Sequence, residues 1–296
     1  MSKIRWLTAI VIMATLTLSA NADDPKSKKR LLLITDSGGF IHDSVGLAEQ
    51  TLRKIGPDYG FEVECFRFTR DLENTKVFDE YAARFRKTTG VTVEKENCGR
   101  VNAETLKKFD AVLFFTTGNP LNQDEIKDLV IWVKAGGVVA GTHCGSDTLY
   151  PAKDKPWNQA YGELIGAYFD GHPWHQKIKV KVEDAEHAAG KSFKSGDEIT
   201  DEIYQFRPEP YSRGKLHIIL SVDNSSIDVS KGKRKDSDYA VAWCQEFEKG
   251  RTFYTSLGHR KEVWTDKRFQ DHLFGGLNWA VKRAPGSGAP SSKKTD

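Results

Sequence analysis

Five of the eight histidines lie in polar turns: His42, His143, His172, His175 and His259. Three of them, His42, His143 and His259, directly follow segments with the pattern of β-strands. Because parallel strands bring their carboxyl ends to one edge of a sheet, these three imidazoles could share a site. Imidazole can bind a metal, act as a general base or donate a hydrogen bond to a sugar hydroxyl. The pattern therefore favours one shared site over three unrelated loop residues.

A second pair of histidines lies close together in the sequence. His172 and His175 are three residues apart, which would let both bind one metal from a helix. Gly171 and Pro173 favour a loop instead, so it stays open whether either histidine is a ligand. The cofactor that this chemistry suggests is a divalent metal such as zinc. The candidate metal ligands are His143, His172, His175 and His259.

Other side chains near these turns could move a proton or contact a substrate. Asp43 joins His143 and His259 as a candidate catalytic residue, although Asp43 could equally be a helix N-cap. Trp174 and Tyr204 could stack on the apolar C–H face of a sugar, although aromatic residues more often lie in the core. The candidate substrate-binding residues are His42, Gly118, Asn119, Asp147, Trp174, Glu202 and Tyr204.

The turn at residues 141–145 is the centre of the predicted fold. A β-rich run ends at Gly141, and Gly145 follows after His143 and Cys144. This pattern predicts a buried strand that ends in a tight turn at the carboxyl edge of a sheet. Helices predicted at 44–55 and 123–135 provide crossover connections, so the strands that they join should be parallel. These strands are predicted near 30–35, 61–66, 110–116 and 138–142.

The patterns elsewhere in the chain are weaker. Residues 71–99 are charged and irregular, which predicts a surface excursion. Residues 169–175 are rich in turn formers and predict a loop. Helices are predicted at 157–167 and 269–280. Further strands are predicted near 178–182, 217–222, 239–243 and 251–257.

The N-terminus has the pattern of a secretory signal peptide. Lys3 and Arg5 precede an apolar run, and Ala20-Asn21-Ala22 resembles a cleavage site. The run is shorter than the roughly 20 apolar residues that span a bilayer. We therefore expect a periplasmic or secreted protein with no membrane anchor after cleavage. The expected organisation is a signal peptide at 1–22, one domain at 23–284 and a disordered tail at 285–296.

The charge of the chain argues against a nucleic-acid partner. The formal charge is +3, and removal of Lys3 and Arg5 lowers it to +1. The spacing of the four cysteines does not suggest a dense disulfide framework. We expect Cys65 and Cys244 to be buried thiols, with a Cys65–Cys98 disulfide as an open alternative.

Five short motifs occur in order along the chain: GFIHDS (39–44), GTH (141–143), GHP (171–173), DEIY (201–204) and YTSLGHR (254–260). Together, over about residues 29–282, they resemble ThuA-like proteins, a family named for trehalose utilisation. The resemblance implies a class I glutamine amidotransferase-like or flavodoxin-like α/β fold, a three-layer α/β/α sandwich with a mainly parallel sheet. The resemblance also implies a role in sugar metabolism, including that of oxidised (keto) disaccharides.

The chain departs from true amidotransferases of that fold at two catalytic positions. Their nucleophile is the cysteine of a G-x-C-x-G turn, where this chain has His143, and Cys144 comes one residue late. Their His-x-Glu pair is matched by His259 and Lys261, with Glu262 one residue out. We therefore predict that the protein is not a glutamine amidotransferase and that only the location of the site is shared.

The leading functional hypothesis is an exported ThuA-like protein that acts on a small carbohydrate, either a glycoside or a keto-sugar. The reaction could be that of a hydrolase, lyase or isomerase, in a histidine-rich pocket that could bind a metal. One alternative is a carbohydrate-binding protein without catalysis. The other is a cysteine hydrolase that uses Cys144 and His259. The substrate and the oligomeric state stay open.

Overall fold

A computed structural model describes residues 27–291, which form one β-sheet with α-helices packed against it. The strands are β1 (Lys29–Ile34), β2 (Phe61–Phe66), β3 (Ala111–Phe114), β4 (Val138–Thr142), β5 (Trp174–Val182), β6 (Glu198–Ile203), β7 (His217–Val222), β8 (Ala240–Phe247) and β9 (Gly250–Thr255). The helices are α1 (Val45–Ile55), α2 (Thr75–Thr89), α3 (Ala103–Leu106), α4 (Gln123–Lys134), α5 (Trp157–Ile165), α6 (Lys261–Thr265) and α7 (Lys267–Ala280). The predicted signal peptide at 1–22 lies outside the described residues. Within residues 27–291, no helix is long and apolar enough to cross a membrane.

The sheet has nine strands in the order β2-β1-β3-β4-β9-β8-β7-β5-β6. The first five strands in this order are parallel, which confirms the predicted arrangement of β1 to β4. The other four pairings are antiparallel, so the sheet is mixed rather than mainly parallel. One cause is local: two residues connect Phe247 of β8 with Gly250 of β9, and so short a connection permits a hairpin but not a parallel crossover.

The topology brings the ends of several strands to one edge of the sheet. β4 and β9 run parallel, so Thr142 and Thr255 mark the same edge. Because direction alternates through β8, β7, β5 and β6, β6 also ends at this edge and β5 begins there. Residues at the end of β6 and the start of β5 therefore join the residues that follow β4 and β9.

Both faces of β1, β3 and β4 are buried along most of their length. In β1, Leu31 and Leu33 belong to one apolar cluster, and Leu32 and Ile34 belong to a second one, as alternating side chains require. The first cluster includes side chains of α1, α2 and α7, and the second includes side chains of α4 and α5. Burial on both faces explains why β1, β3 and β4 are continuous apolar runs in the sequence.

Two segments differ from their predicted structure. Residues 75–89, predicted to be irregular, form α2, whose N-cap Asn74 accepts a hydrogen bond from the backbone of Val77. This helix buries Tyr81 and Phe85, an apolar stripe too narrow to stand out among the charged residues. The predicted loop at 169–175 is shorter than expected, because β5 begins at Trp174.

The described part of the predicted C-terminal tail packs against the domain. Trp279 Nε1 donates a hydrogen bond to the carbonyl of Gly286 (3.0 Å). The backbone N–H of Ser291 donates to the carbonyl of Leu216 (2.9 Å). These contacts hold residues 285–291 in place, and residues 292–296 lie outside the described chain.

Candidate metal centre

Five histidines and one glutamate meet at the edge of the sheet where β4, β6 and β9 end. His42 lies in the loop after β1, His143 directly follows β4, and His259 follows β9. Glu202 lies near the end of β6, and His175 lies at the start of β5. The possible ligand atoms form two groups, each within 4.8 Å: His42, His143, Glu202 and His259, and His172, His175 and Glu202.

The backbone at His143 turns sharply out of β4. Its φ is +45°, a left-handed conformation that is uncommon for residues other than glycine. The hydroxyl of Tyr254 holds this turn by donating a hydrogen bond to the carbonyl of His143 (2.5 Å). The fully buried imidazole donates from Nδ1 to the carbonyl of Ser256 (3.0 Å), because a carbonyl only accepts. In the neutral ring, Nε2 then presents its lone pair to the cluster, as in histidines that bind metals.

Three polar atoms surround Nε2 of His143. Tyr204 Oη lies at 3.0 Å, His42 Nε2 at 3.2 Å and Glu202 Oε2 at 3.2 Å. An ionised carboxylate cannot donate a hydrogen bond, so its contact with Nε2 requires either a proton on that nitrogen or a cation shared by the two atoms. In a tetrahedral zinc site with bonds of 2.0–2.1 Å, ligand atoms are about 3.3 Å apart, so the cluster could hold a metal ion.

Burial and neighbouring groups set the charges of the cluster. Burial, with a contribution from the imidazoles of His143 and His259, lowers the pKa of His42 to about 2. Burial also lowers the pKa of His259, and Glu202 offsets this effect only in part. Burial alone would raise the pKa of Glu202, but its contacts with the histidines, first with His143, lower it to about 2. Near neutral pH, His42 and His259 are therefore neutral and Glu202 is ionised, the states that bind metals.

A buried carboxylate fixes the loop that carries His259. Asp201 accepts hydrogen bonds from the backbone N–H groups of Gly258 (2.7 Å) and Arg260 (2.9 Å). Gly258 has a φ of +122°, which glycine adopts without a steric penalty. The buried Trp264 donates from Nε1 to the carbonyl of the same glycine (2.8 Å). Asp201 therefore positions the site, a role hidden in the sequence because its partners are 57 and 59 residues away.

The register of β5 and β6 decides which of their side chains reach the cluster. His175 is opposite Glu202 in the antiparallel ladder, so the two side chains lie on the same face. His175 Nε2 lies 2.6 Å from Glu202 Oε1, and His172 Nδ1 lies 3.4 Å from the same oxygen. Trp174 is opposite Ile203, and its side chain is buried in the core. The structure therefore does not bring Trp174 to the cluster, because successive side chains of a strand alternate between faces.

Four other predicted residues belong to neither ligand group. Asp43 is exposed, and its carboxylate pairs with Lys261 Nζ at 2.8 Å. Gly118 joins two loops by donating from its backbone N–H to the carbonyl of Asp147 (3.2 Å). Asn119, the next residue, is exposed. Asp147 is partly buried, and this burial raises the pKa of its carboxyl. By contrast, Tyr204 reaches His143 directly.

Cys144 follows His143 in the chain but lies in the apolar core. It is fully buried, and burial raises the pKa of its thiol well above the usual value. A nucleophilic cysteine needs an accessible thiolate, so this environment disfavours Cys144 as a catalytic residue. Cys65 and Cys244 are buried thiols, as predicted. All four cysteines of the described chain are free, which rules out the Cys65–Cys98 disulfide in this structure.

Two phenylalanines flank the cluster, and neither was among the predicted site residues. Phe40 is 67% exposed, and its ring centroid lies 4.8 Å from that of His42 in an edge-on contact. Phe169 lies nearly parallel to His172, with ring centroids 5.7 Å apart. Each phenylalanine therefore places an apolar ring next to a histidine of the cluster.

Comparison with known proteins identifies the family of this chain and solved structures with a similar fold. The sequence pattern of the ThuA family, described as trehalose utilisation, matches residues 30–280. The chain belongs to the ThuA family. A ThuA-like protein from Bacteroides uniformis ATCC 8492 is 20% identical, with a TM-score of 0.59 over 91% of this chain and 98% of that chain. A ThuA-like protein from Parabacteroides merdae ATCC 43184 is 14% identical, with a TM-score of 0.59 over 90% and 96% of the two chains. These likenesses show a shared α/β fold, and no curated protein matches this ThuA-family chain.

Proposed function

We propose that this ThuA-family protein binds a divalent cation, with zinc as the first candidate, and acts on a small carbohydrate at the same site. The observation that carries the proposal is the 3.2 Å contact between Glu202 Oε2 and His143 Nε2. The two atoms are stable at this distance when they share a cation or a proton, and a cation would also use the ligand atoms of His42 and His259. His42 and His259 supply two further ligand atoms, which gives the four ligands of a tetrahedral site or three ligands with one position for substrate.

The side chains around the cluster have groups that suit a polyhydroxylated ligand. When bound, a divalent cation here would polarise a carbonyl oxygen or lower the pKa of a bound water. The buried Tyr204 keeps its proton, because burial raises its pKa well above the usual value, so its hydroxyl can act as a hydrogen-bond donor. His172 and His175 are about half exposed and can exchange hydrogen bonds with sugar hydroxyls.

The flanking phenylalanines and the family support a carbohydrate as the substrate. Phe40 is the most exposed large apolar side chain among those of the described chain, and it lies beside His42. An exposed aromatic ring next to polar groups suits a sugar, whose C–H face is apolar and whose rim is polar. The description of the family as trehalose utilisation agrees with a glycoside or keto-sugar substrate.

Two further parts of the proposal concern location and architecture. We propose that the protein acts outside the cytoplasm after removal of residues 1–22, as their signal-peptide pattern predicts. We also infer that the parallel half of the sheet is the middle layer of an α/β/α arrangement. The two apolar clusters, one on each face of β1, support this inference.

Protein purified without a histidine tag and without chelators tests the proposal. Elemental analysis should find a divalent metal in the wild type and less of it in His143→Ala. His217→Ala is a matched control, because His217 pairs with Asp184 and belongs to neither ligand group. If the wild type binds no metal even when Zn²⁺ is supplied, Glu202 and His143 share a proton instead, and the proposal is wrong.

Carbohydrate action is tested on the same set of variants. Calorimetry with trehalose and with a keto-disaccharide should show binding that requires both the metal and His143. Mass spectrometry of the reaction mixture then tests for turnover. Binding without any product would support the alternative of a carbohydrate-binding protein without catalysis.

A further inference from the structure

The two oxygen atoms of the Glu202 carboxylate have different nearest histidines, and His259 Nε2 lies farther away, 3.9 Å from Oε1. Oε2 lies 3.2 Å from Nε2 of the buried His143. Oε1 lies 2.6 Å from His175 Nε2 and 3.4 Å from His172 Nδ1, and both of these rings are partly exposed to solvent. Among the described residues, Glu202 is the one residue shared by the two groups of possible ligands.

From this geometry we propose a two-metal site in which Glu202 bridges an inner and an outer divalent cation. This inference rests on the metal binding proposed above. Cations in two-metal sites are about 3.5–4 Å apart, and a carboxylate can bridge them by presenting one oxygen to each. The ligands are His42, His143, His259 and Glu202 Oε2 for the inner cation, and His172, His175 and Glu202 Oε1 for the outer one.

The backbone holds the outer ligands next to one another. His175 is paired with Glu202 in the β5–β6 ladder. His172 follows Gly171, whose carbonyl accepts a hydrogen bond from the backbone of Gln205 (2.9 Å). His172 Nδ1 and His175 Nε2 are 3.0 Å apart, close to the separation of about 3.3 Å between ligand atoms of a tetrahedral zinc site. Three ligand atoms on the solvent side would leave a position for water or substrate.

Burial separates the two cation positions. His42 and His143 are 6% and 0% exposed, whereas the side chains of His172 and His175 are 47% and 48% exposed. The inner cation is therefore shielded, and the outer cation exchanges with solvent. The outer group offers three ligand atoms and the inner group four, so the outer cation binds more weakly. It needs further oxygen ligands, which the hydroxyl groups of a carbohydrate can provide.

Metal titration of tag-free, metal-free protein counts the cations. Calorimetry with Zn²⁺, and elemental analysis after gel filtration, should give two cations per chain for the wild type and for the control His217→Ala. The double variant His172→Ala/His175→Ala should bind one cation. With Mn²⁺ as the probe, electron paramagnetic resonance should show a coupled pair of ions in the wild type and an isolated ion in the double variant.

Each other outcome overturns a specific part of the inference. One cation in the wild type, lost in His143→Ala, overturns the bridge but leaves the proposed function standing. No cation in the wild type overturns both. Two cations in the double variant overturn the outer site. Circular dichroism checks the fold of the double variant, and Glu202→Gln, which keeps the shape of the side chain, provides a second test because it should bind at most one cation.

Discussion

Replacement of His143 by alanine should lower stability in two ways that can be measured separately. One is the loss of contacts in the metal-free protein, and the other is the loss of stabilisation by a bound metal. In metal-free His143→Ala, the buried carbonyl of Ser256 loses its donor, which costs about 1–3 kcal/mol. The left-handed backbone at φ +45° adds about 1 kcal/mol for alanine, which tolerates this conformation less well than histidine. We therefore expect the free energy of unfolding to fall by about 2–4 kcal/mol relative to metal-free wild type.

The measurement that decides the role of His143 is the effect of metal on thermal stability. A cation at 100 times its Kd stabilises the folded state by about 2.7 kcal/mol. For a domain of this size, that corresponds to an increase in Tm of roughly 5 °C. Scanning calorimetry should show this increase when Zn²⁺ is added to the metal-free wild type, and a smaller increase for His143→Ala, which keeps only the outer group of ligands intact.

Two further variants make the result interpretable. Asparagine tolerates a positive φ, so His143→Asn should recover part of the stability without recovering the response to metal. His217→Ala breaks the contact with Asp184 and should lower Tm while keeping that response. If His143→Ala still gains stability from Zn²⁺ as the wild type does, His143 is a packing residue and the reasoning is refuted.

Three other predictions concern groups outside the ligand set. Burial lowers the pKa of His272 to about 4, so between pH 7 and pH 5 the unfolded chain gains a proton at this residue that the folded protein does not. His272 alone should therefore cost the metal-free protein about 2 kcal/mol of stability over this range, and urea titrations at the two pH values should show a smaller loss for His272→Asn than for the wild type. If the stability of His272→Asn depends on pH as strongly as that of the wild type, the lowered pKa of His272 is not the cause of the effect. Buried Cys144 should resist alkylation by iodoacetamide until the protein unfolds, and Cys144→Ser should keep metal binding; rapid labelling of the native protein would support the cysteine hydrolase instead. N-terminal sequencing of exported protein should begin at Asp23, and a retained Met1 would rule out the signal peptide.

Local patterns in the sequence were sufficient for the parallel half of the fold. The apolar runs of β1, β3 and β4 reflect burial on both faces, a property of each strand by itself. The start of α4 was predictable because Asn122 and Glu125 form a capping box within one turn. The shared site of His42, His143 and His259 was also predictable, because each histidine comes after a strand and parallel strands end at one edge of the sheet.

The antiparallel half and the acidic ligand depended on the tertiary structure. Glu202 reaches the histidines because β6 runs in the same direction as β9 and pairs with β5 in one register. A shift of that register by one residue would turn Trp174 toward the cluster and His175 into the core. Register depends on side chains packed from distant parts of the chain, and no short segment records it. For this reason, the sequence predicted a shared site for the histidines that follow strands and named Glu202 only as a substrate-binding residue, whereas the folded chain revealed that its carboxylate lies between them.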